Sequence, residues 1–569
     1  MTPTNYKLKI VAIICFVFIA ISEFIAYANP SKGYELSIYA QTPVSVWVFL
    51  IGSIIGGVAI LVHQAVTKGH KNNSFWLIGL FIIILAQETL FYLPYIRGYL
   101  LFQGADTTEH IAWFTGILSS GHFSNENFYP VTHILLSEII LLTGIQKLTV
   151  VMFSGSFILV TYVLSIYMLS TVVSPEMEQR LLMVATIASM PYTFNIYTSA
   201  IFPVYWSAIL IPFLLFIFFK RSNTPYSILF VVFLIFYPFF HVFSSLIIII
   251  VLAVIELSRP IYMYIINYGT NVIPMSNSKL SLTPIFVESV ILITWIFSFH
   301  IFYNNLRFIK HQIINGMGAD VLGEMGTGLD MINLHGFDFV QLLIQIYGTK
   351  ILFVVLSLVA AFILIKQIRS GNVKKETQRL FSLLCVFFGV YFIYLLYLLG
   401  APVLSGIAGD RMLYVAPLLS PIFAGFCLYE LFKNTRFKHL ASICIICVII
   451  SASVLSIFSY YNSPYTKSPN NQVTSMDMAG MTWFIEQKNI TIGHVYIATP
   501  PGKFVITVLG DIEARKRLDV FYTGKHFSDH FDYVKSSSLG ELYDENKYAV
   551  ITKFDRVLYT TVWKEVGRF

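Results

Sequence analysis

Charged residues are scarce in this chain. Asp, Glu, Lys and Arg make up 12% of the 569 residues, whereas a soluble globular protein carries roughly 25%. The apolar fraction is 56% and the mean hydropathy is +0.73. This composition excludes an ordinary soluble protein and indicates that much of the surface faces lipid. The net charge of +7 does not indicate a nucleic-acid partner, because Lys and Arg occur in short clusters beside apolar runs, where they set membrane orientation.

Several familiar site motifs are missing as well. All five cysteines lie inside apolar runs and none lies beyond residue 460, which excludes a disulfide framework or a zinc-cysteine site in the tail of the chain. No phosphate-binding G-x-x-x-x-G-K-[ST] sequence occurs, and the segment from Asp320 to Asp330 does not fit an EF-hand. Internal repeats, which many transporters show, are absent too.

Apolar runs fill most of the first 460 residues. A spanning helix needs about 20 mostly apolar residues, and the runs predict about 13 spans. They lie near 8–28, 44–66, 75–96, 149–172, 181–199, 203–219, 226–240, 241–257, 284–304, 349–367, 380–400, 412–432 and 440–460. The stretch 226–257 is too long for one helix, and Pro238 predicts a break. The first run also suits a cleaved signal peptide ending at Ala28, and both interpretations place the N-terminus in the cytoplasm.

A shorter apolar run at 131–145 decides the topology. It holds about 15 residues, too few for a bilayer core of about 30 Å. If this run does not span, the later Lys and Arg clusters all fall in the cytoplasm, as the positive-inside rule favours. We therefore predict an interfacial or re-entrant helix within a large outer loop, 97–148, and a second large outer loop at 305–348.

The fold class that follows is an α-helical polytopic membrane protein with a small C-terminal domain. Residues 1–460 form the predicted transmembrane domain, and residues 461–569 a soluble extracytoplasmic domain. A helical pattern at 473–488 and strand patterns at 494–499 and 548–553 make this small domain α/β. We expect a multi-pass protein of the cell membrane.

The first outer loop opens with an acidic segment. Asp106, Glu109 and His110 are spaced three and four apart, so a helix places them on one face. A carboxylate at the membrane surface suits a general base or a metal ligand. The same spacing also suits the solvated face of an interfacial helix.

Farther along the chain, aromatic and histidine side chains occur near predicted helix ends. Tyr129 precedes Pro130, which is favoured in the first turn of a helix. His133 follows inside the short apolar run, and His241 lies at a predicted outer junction between two spans. Each histidine suits either a functional site or a satisfied structural position.

Three cations on the predicted outer side suit a phosphate. Arg411 opens a span, and its planar fork of donors matches phosphate geometry. A pair with Asp410 or an interfacial position explains the same residue. Arg307 and Lys310 lie one helical turn apart in the second outer loop, where a solvated role is equally suitable.

Taken in order, these motifs resemble the GT-C superfamily of membrane glycosyltransferases, which includes protein O-mannosyltransferases, oligosaccharyltransferase catalytic subunits and aminoarabinose transferases. Four features carry the resemblance over roughly residues 75–460. An acidic motif opens the first large outer loop, a Tyr-Pro begins an apolar helix in the same loop, an Arg opens a later span with prolines after it, and a soluble domain follows the last helix. These features are Asp106 to His110, Tyr129-Pro130, Arg411 with Pro417 and Pro421, and residues 461–569.

The resemblance implies a reaction and its partners. A sugar on a polyprenyl or dolichyl phosphate is the implied donor, and a lipid-linked glycan or a protein is the implied acceptor, with transfer on the outer membrane face. Asp106 is the implied catalytic base. The other implied roles are substrate and acceptor binding by Glu109, His110, Tyr129 and His133, and lipid-phosphate binding by Arg411, His241, Arg307 and Lys310.

The chain departs from the family pattern in two places. Many members carry a second acidic motif in the next outer loop, but residues 197–203 contain no carboxylate. A divalent cation, Mg or Mn, would therefore have only Asp106 and Glu109 as candidate ligands. The Trp-Trp-Asp motif of oligosaccharyltransferases is also absent, which disfavours transfer of a whole glycan to asparagine.

Two other function classes fit parts of the pattern. A transporter or flippase of a lipid-linked or polar substrate predicts repeated halves and mid-membrane charges, which the sequence does not show. A non-catalytic accessory membrane subunit, whose tail binds partners or glycans, predicts that Asp106→Asn is harmless.

Overall fold

The computed structural model describes most of the chain. The described residues are 3–102, 104–189, 201–270, 281–299, 339–371, 374–401, 411–466, 468–521 and 543–562, with the isolated positions 302–303, 306–307, 310–311, 314, 404 and 525–526. The helices of the first 460 residues are Pro3–Ala28, Ile38–Gln41, Val44–Val66, Phe75–Ile96, Gly104–Ser120, Pro130–Thr143, Lys147–Val173, Met177–Ala185, Pro203–Ile209, Ile211–Lys220, Thr224–Phe240, Val242–Thr270, Thr283–Phe297, Phe339–Arg369, Lys375–Leu398, Met412–Val415, Ser420–Phe432 and Lys438–Tyr460.

Nine helices in the described part are long and apolar enough to cross a membrane. They match nine of the predicted spans, and a multi-pass membrane protein follows directly from them. The other predicted spans correspond to three shorter apolar helices, Thr224–Phe240, Thr283–Phe297 and Ala416–Phe432, and to 181–199, whose second half lies outside the described residues. The total of about 13 spans therefore stays a prediction.

The long stretch 226–257 is divided in two, as expected, but the division lies at His241. That residue is extended, with φ −168° and ψ 124°, while Pro238 is accommodated inside the last turn of the preceding helix. The helix ends soon after Pro238, because proline lacks the N–H that the helical hydrogen-bond pattern needs. The break places His241 between two helices at one end of the bundle.

Two helices occupy the first predicted outer loop, and we call them the first loop helix (Gly104–Ser120) and the second loop helix (Pro130–Thr143). The second has Pro130 in its first turn and ends at Gly144, whose φ of 69° is the left-handed conformation that glycine adopts most readily. Its 14 residues are about 21 Å long, short of a bilayer core. The predicted short helix is thus present; its depth in the membrane stays a prediction.

The tail after the last span contains a small parallel sheet. Strands β3 (Gly493–Tyr496), β4 (Lys525–His526) and β5 (Lys547–Val550) lie in the order β4-β3-β5, all parallel. The helices of the tail are Ser475–Gln487, Val505–Leu509, Asp511–Ala514, Leu518–Phe521 and Lys553–Val557. The predicted helix at 473–488 and the strands near 494–499 and 548–553 are therefore present. Their assignment to a separate extracytoplasmic domain stays a prediction.

The base of the tail is joined to the first loop by backbone pairing and by a buried ion pair. Strand β1 (Leu101–Phe102) pairs antiparallel with β2 (Gln472–Val473). Beside it, Arg97 Nη1 and Nη2 donate to both carboxylate oxygens of Glu35 at 2.6 and 2.7 Å, and both side chains are buried. A hydroxyl from Tyr99 also donates to Glu35, at 2.6 Å. The predicted outer loop and the tail therefore lie on the same side of the helix bundle.

Candidate functional site

A polar cavity of about 340 Å³ lies where the first loop helix, the helix bundle and the tail meet. We call it the central cavity. Six of the nine site residues named from the sequence line it, together with five residues that the sequence did not indicate. The lining residues are Asp106, Glu109, His110, Tyr129, Phe202, Pro203, Val204, Tyr205, His241, Arg411 and Lys503.

The first loop helix holds the acidic side of the cavity. Gly104 begins this helix with a φ of 66°, and its N–H donates to the carbonyl of Asn471 at 2.9 Å. The left-handed conformation lets the chain turn sharply out of β1, and glycine adopts it without strain. Asp106 and Glu109 then follow on one helical face, as their spacing predicts.

Lys503 connects both carboxylates and comes from the tail. Its Nζ lies 3.2 Å from Asp106 Oδ1 and donates a hydrogen bond to Glu109 as well. Burial disfavours its charge, but the two carboxylates outweigh that effect and raise the pKa of Lys503 above its ordinary value. The lysine therefore stays protonated throughout the neutral range.

The backbone around Lys503 is held against the first loop helix. Thr108 Oγ1 donates to the Lys503 carbonyl at 3.0 Å, and Thr507 Oγ1 donates to the Thr108 carbonyl at 2.8 Å. Sequence reasoning missed Lys503, because it lies in a turn far along the chain from the acidic motif. A Lys directly after a strand was the one available signal.

A pair of buried histidines supports the wall of the cavity. His110 Nδ1 and His133 Nε2 lie 3.0 Å apart, and the amide of Asn127 contacts His133 Nδ1 at 2.9 Å. Burial lowers the pKa of His110 to about 4, against an opposing effect of Asp106. At pH 7 both rings are therefore neutral and share one hydrogen bond. His133 lies behind His110 rather than at the cavity surface, so its predicted contact with an acceptor becomes a supporting contact in this structure.

Tyr129 and His241 form an aromatic wall. Their rings stack with centroids 5.4 Å apart and planes inclined by 27°. Burial raises the pKa of Tyr129 to about 12, and the Glu109 carboxylate adds to the effect. The phenol consequently remains protonated at neutral pH and can donate a hydrogen bond. Both residues line the central cavity, as the sequence-based assignment of substrate and phosphate contacts requires.

The three predicted cations are divided between two places. Arg411 lines the central cavity at the start of the Met412–Val415 helix. Arg307 and Lys310 are exposed and do not line it, and the Arg307 guanidinium lies 4.7 Å from the ring centroid of Tyr303. Their proposed phosphate contacts stay predictions, and most of the surrounding loop, 305–348, lies outside the described residues.

In the part of the chain that the structure describes, Asp106 and Glu109 are the carboxylates that line the central cavity. Across the residues that the structure describes, no group of three or more His, Cys, Asp or Glu side chains could hold a metal ion. The two carboxylates named as candidate ligands, Asp106 and Glu109, are both engaged by Lys503. The positive charge beside them is supplied by the protein itself.

Comparison with known proteins gives matches among solved structures only. No protein-family model matches the chain, and no curated protein matches it. Among solved structures, the chain is similar to a crystal structure of the Archaeoglobus fulgidus oligosaccharyltransferase in complex with Zn and sulfate. The TM-score is 0.46 and the sequence identity 12%, and the match covers 78% of this chain and 62% of that one. The match thus spans less than two thirds of that protein's length.

Proposed function

We propose that this protein is a membrane glycosyltransferase of the GT-C type. It transfers a sugar from a polyprenyl or dolichyl phosphate to a hydroxyl of a lipid-linked glycan or protein acceptor, on the outer face of the membrane. One observation carries the proposal: carboxylates, which can act as a base, and cationic side chains, which can bind a phosphate, line the same polar cavity beside the helix bundle. Asp106 and Glu109 supply the carboxylates, and Arg411 and Lys503 supply the charge.

The first half of the reaction needs a base. Asp106 takes the proton from the acceptor hydroxyl, and the oxygen attacks the anomeric carbon of the sugar. Lys503 Nζ lies 3.2 Å from Asp106 Oδ1 and orients the carboxylate. Glu109 shares the same ammonium group, so that neither carboxylate faces the other without a neutralising charge.

The second half needs a cation for the leaving group. As the bond between the anomeric carbon and the phosphate oxygen breaks, the lipid phosphate gains a second negative charge. Arg411, which lines the cavity, binds it through its paired N–H donors. His241 and Tyr129 line the same cavity and add hydrogen-bond donors to the phosphate or the sugar.

A genetic complementation tests the proposal. The gene is deleted in its host, and the intact masses of surface glycoproteins and lipid-linked glycans are measured. Wild type should restore a glycan that the deletion shortens by one sugar mass, and Asp106→Asn should not, at equal protein level. Asp544→Asn, a matched change at an exposed tail residue, should restore it fully.

Other outcomes point to the alternatives. Full restoration by Asp106→Asn would remove Asp106 as the base and favour an accessory subunit. A deletion that leaves every glycan mass unchanged, but traps a lipid-linked precursor on the cytoplasmic side, would favour a flippase.

A further inference from the structure

A second cavity lies at the carboxyl edge of the parallel sheet in the tail. Strand β3 is central; the chain continues from it to β4 on one side, and β5 lies on its other side. The strand order therefore reverses between β3 and β5. In open parallel sheets such a reversal leaves a crevice at the carboxyl ends of the two strands, and ligands bind there.

The crevice is present and has a volume of about 190 Å³. We call it the sheet-edge cavity. Ala498 and Thr499, which follow β3, form one wall with Thr552 and Phe554, which follow β5. The other lining residues are Gly104, Asp106, Asn471, Gln472, Val473, Asp477, Pro500, Lys503 and Phe504.

Its rim is built by buried hydrogen bonds. The fully buried Asp555 accepts from the N–H of Ala498 at 2.9 Å through Oδ1, and from the N–H of Thr552 at 2.7 Å through Oδ2. One carboxylate thus ties together the chain segments that leave the two strands. The Thr499 and Thr552 hydroxyl oxygens lie 3.2 Å apart across the crevice.

The lining chemistry suits a neutral ligand rich in hydroxyls. The Thr499 and Thr552 hydroxyls donate to Asp555 and can still accept from a ligand, and the Asn471 amide can both donate and accept, as sugar hydroxyls do. Asp477 Oδ2 accepts the bonds that cap its helix, and its Oδ1 accepts none from the described residues. The Phe504 and Phe554 rings supply apolar surface for the C–H face of a sugar. Among the described residues that line the cavity, Lys503 is the only cation, and its pairing with the carboxylates argues against a phosphate ligand.

The two cavities meet at Asp106 and Lys503, which line both. A ligand in the sheet-edge cavity therefore reaches the Asp106 carboxylate from a cavity that Arg411 and His241 do not line. We infer that the sheet-edge cavity is the acceptor subsite and that it binds a neutral saccharide unit, whose free hydroxyl it presents to Asp106. This inference rests on the proposed glycosyl transfer.

Two substitutions test the subsite without changing the central cavity. Ala498→Leu fills the crevice, and Thr499→Val removes one hydroxyl at nearly constant shape. Thr560→Val, at an exposed position of the same region, is the matched control. Melting temperatures of the full chain in detergent confirm that each variant is folded.

Enzyme kinetics separate an effect on acceptor binding from an effect on donor binding. Transfer is assayed on purified full-length protein with synthetic polyprenyl-phosphate sugars as donors and lipid-linked glycans as acceptors. Thr499→Val should raise the acceptor KM by about fivefold to tenfold, the effect of one lost hydrogen bond, and leave the donor KM unchanged. Ala498→Leu should abolish saturation-transfer NMR signals from a panel of methyl glycosides.

The possible results are distinct. An unchanged acceptor KM and unchanged glycoside signals in both variants would overturn the subsite. So would a normal KM for a glycan acceptor combined with a raised KM for an unglycosylated hydroxyl peptide, because a protein acceptor would then occupy the crevice. If the wild-type protein transfers no sugar from any of these donors, the proposed function fails instead, and the glycoside signals alone then test the crevice as a saccharide site.

Discussion

Lys503 Nζ lies 3.2 Å from Asp106 Oδ1, although one residue belongs to the tail and the other to the first loop. The contact completes the central cavity and places a fixed positive charge beside two carboxylates. Because it joins distant parts of the chain, it also makes the activity of the loop depend on the tail.

Removing this charge should weaken transfer through Asp106. We expect Lys503→Met to lower kcat roughly tenfold to 100-fold, which is part of the rate enhancement that a well-placed general base contributes. Lys503→Arg, which keeps the positive charge, should lower kcat less. Since the lysine acts through Asp106, combining Lys503→Met with Asp106→Asn should be no worse than Asp106→Asn alone. Multiplicative losses in the double variant would show that Lys503 acts separately.

Arg411 should matter most where the leaving phosphate gains charge. We expect Arg411→Met to lower kcat roughly 100-fold to 1,000-fold, as the loss of one preorganised donor does in other enzymes. The kcat of Arg411→Lys should lie between the values of the wild type and Arg411→Met, because lysine keeps the positive charge but lacks the planar fork of N–H donors. Steady-state kinetics at saturating donor check this, with the exposed Arg436→Met as the matched control. Equal losses in both variants would contradict the assignment.

Chelation should leave the activity intact. Lys503 already contacts both candidate metal ligands, Asp106 and Glu109. After EDTA treatment and gel filtration, the transfer rate should therefore stay within about twofold of the untreated rate. A tenfold loss would correspond to about 1.4 kcal/mol of lost transition-state stabilisation. Loss of transfer on chelation, with recovery on adding Mn²⁺ or Mg²⁺, would show that a cation displaces the lysine.

Acid should destabilise the protein through its buried histidine pair. The pKa of His110 is lowered to about 4, so between pH 6.5 and 4 the unfolded chain binds a proton that the folded chain does not. Stability therefore falls as pH falls through that window, by about 1.4 kcal/mol per pH unit for one such group. Melting temperatures at pH 7 and pH 5 measure the effect.

Two single-histidine variants test this pH dependence: one changes the buried pair, and the other is a control at an exposed position. His110→Gln should flatten the difference between pH 7 and pH 5, whereas the exposed His122→Gln should keep it. A wild-type melting temperature that does not change between the two pH values would contradict the neutral pair.

Breaking the buried ion pair at the base of the tail should be costly. Glu35→Ala leaves the Arg97 guanidinium buried without its carboxylate, which destabilises by about 3–5 kcal/mol. Glu513→Ala removes an exposed partner of Lys516 and should cost less than about 1 kcal/mol. Thermal unfolding in detergent distinguishes the two variants, and equal effects would show that the buried pair contributes little.

Local patterns predicted the helices and one side of the site. Apolar runs located the spans because each span is a property of about 20 consecutive residues. The shared face of Asp106 and Glu109 followed from helical spacing in the same way. Arg411 and His241 were found because each lies at the boundary of an apolar run, where a charged or polar residue stands out.

Tertiary contacts could not be predicted from these patterns. Lys503 meets Asp106 only because the tail folds back onto the first loop through β1 and β2. The contact between His133 and His110 depends on the packing of the two loop helices, and the predicted acceptor contact of His133 stays a prediction. The sheet-edge cavity depends on strand order, which no local pattern specifies.

The pairing of β1 with β2 has a consequence for how the protein is made. During synthesis the first loop leaves the ribosome hundreds of residues before β2 and Lys503. Until then the acidic motif has neither its edge strand nor its lysine, and both cavities are open. The central cavity is thus completed only after the helix Lys438–Tyr460 has been synthesised, so a chain that stops before β2 has Asp106 and Glu109 without their lysine.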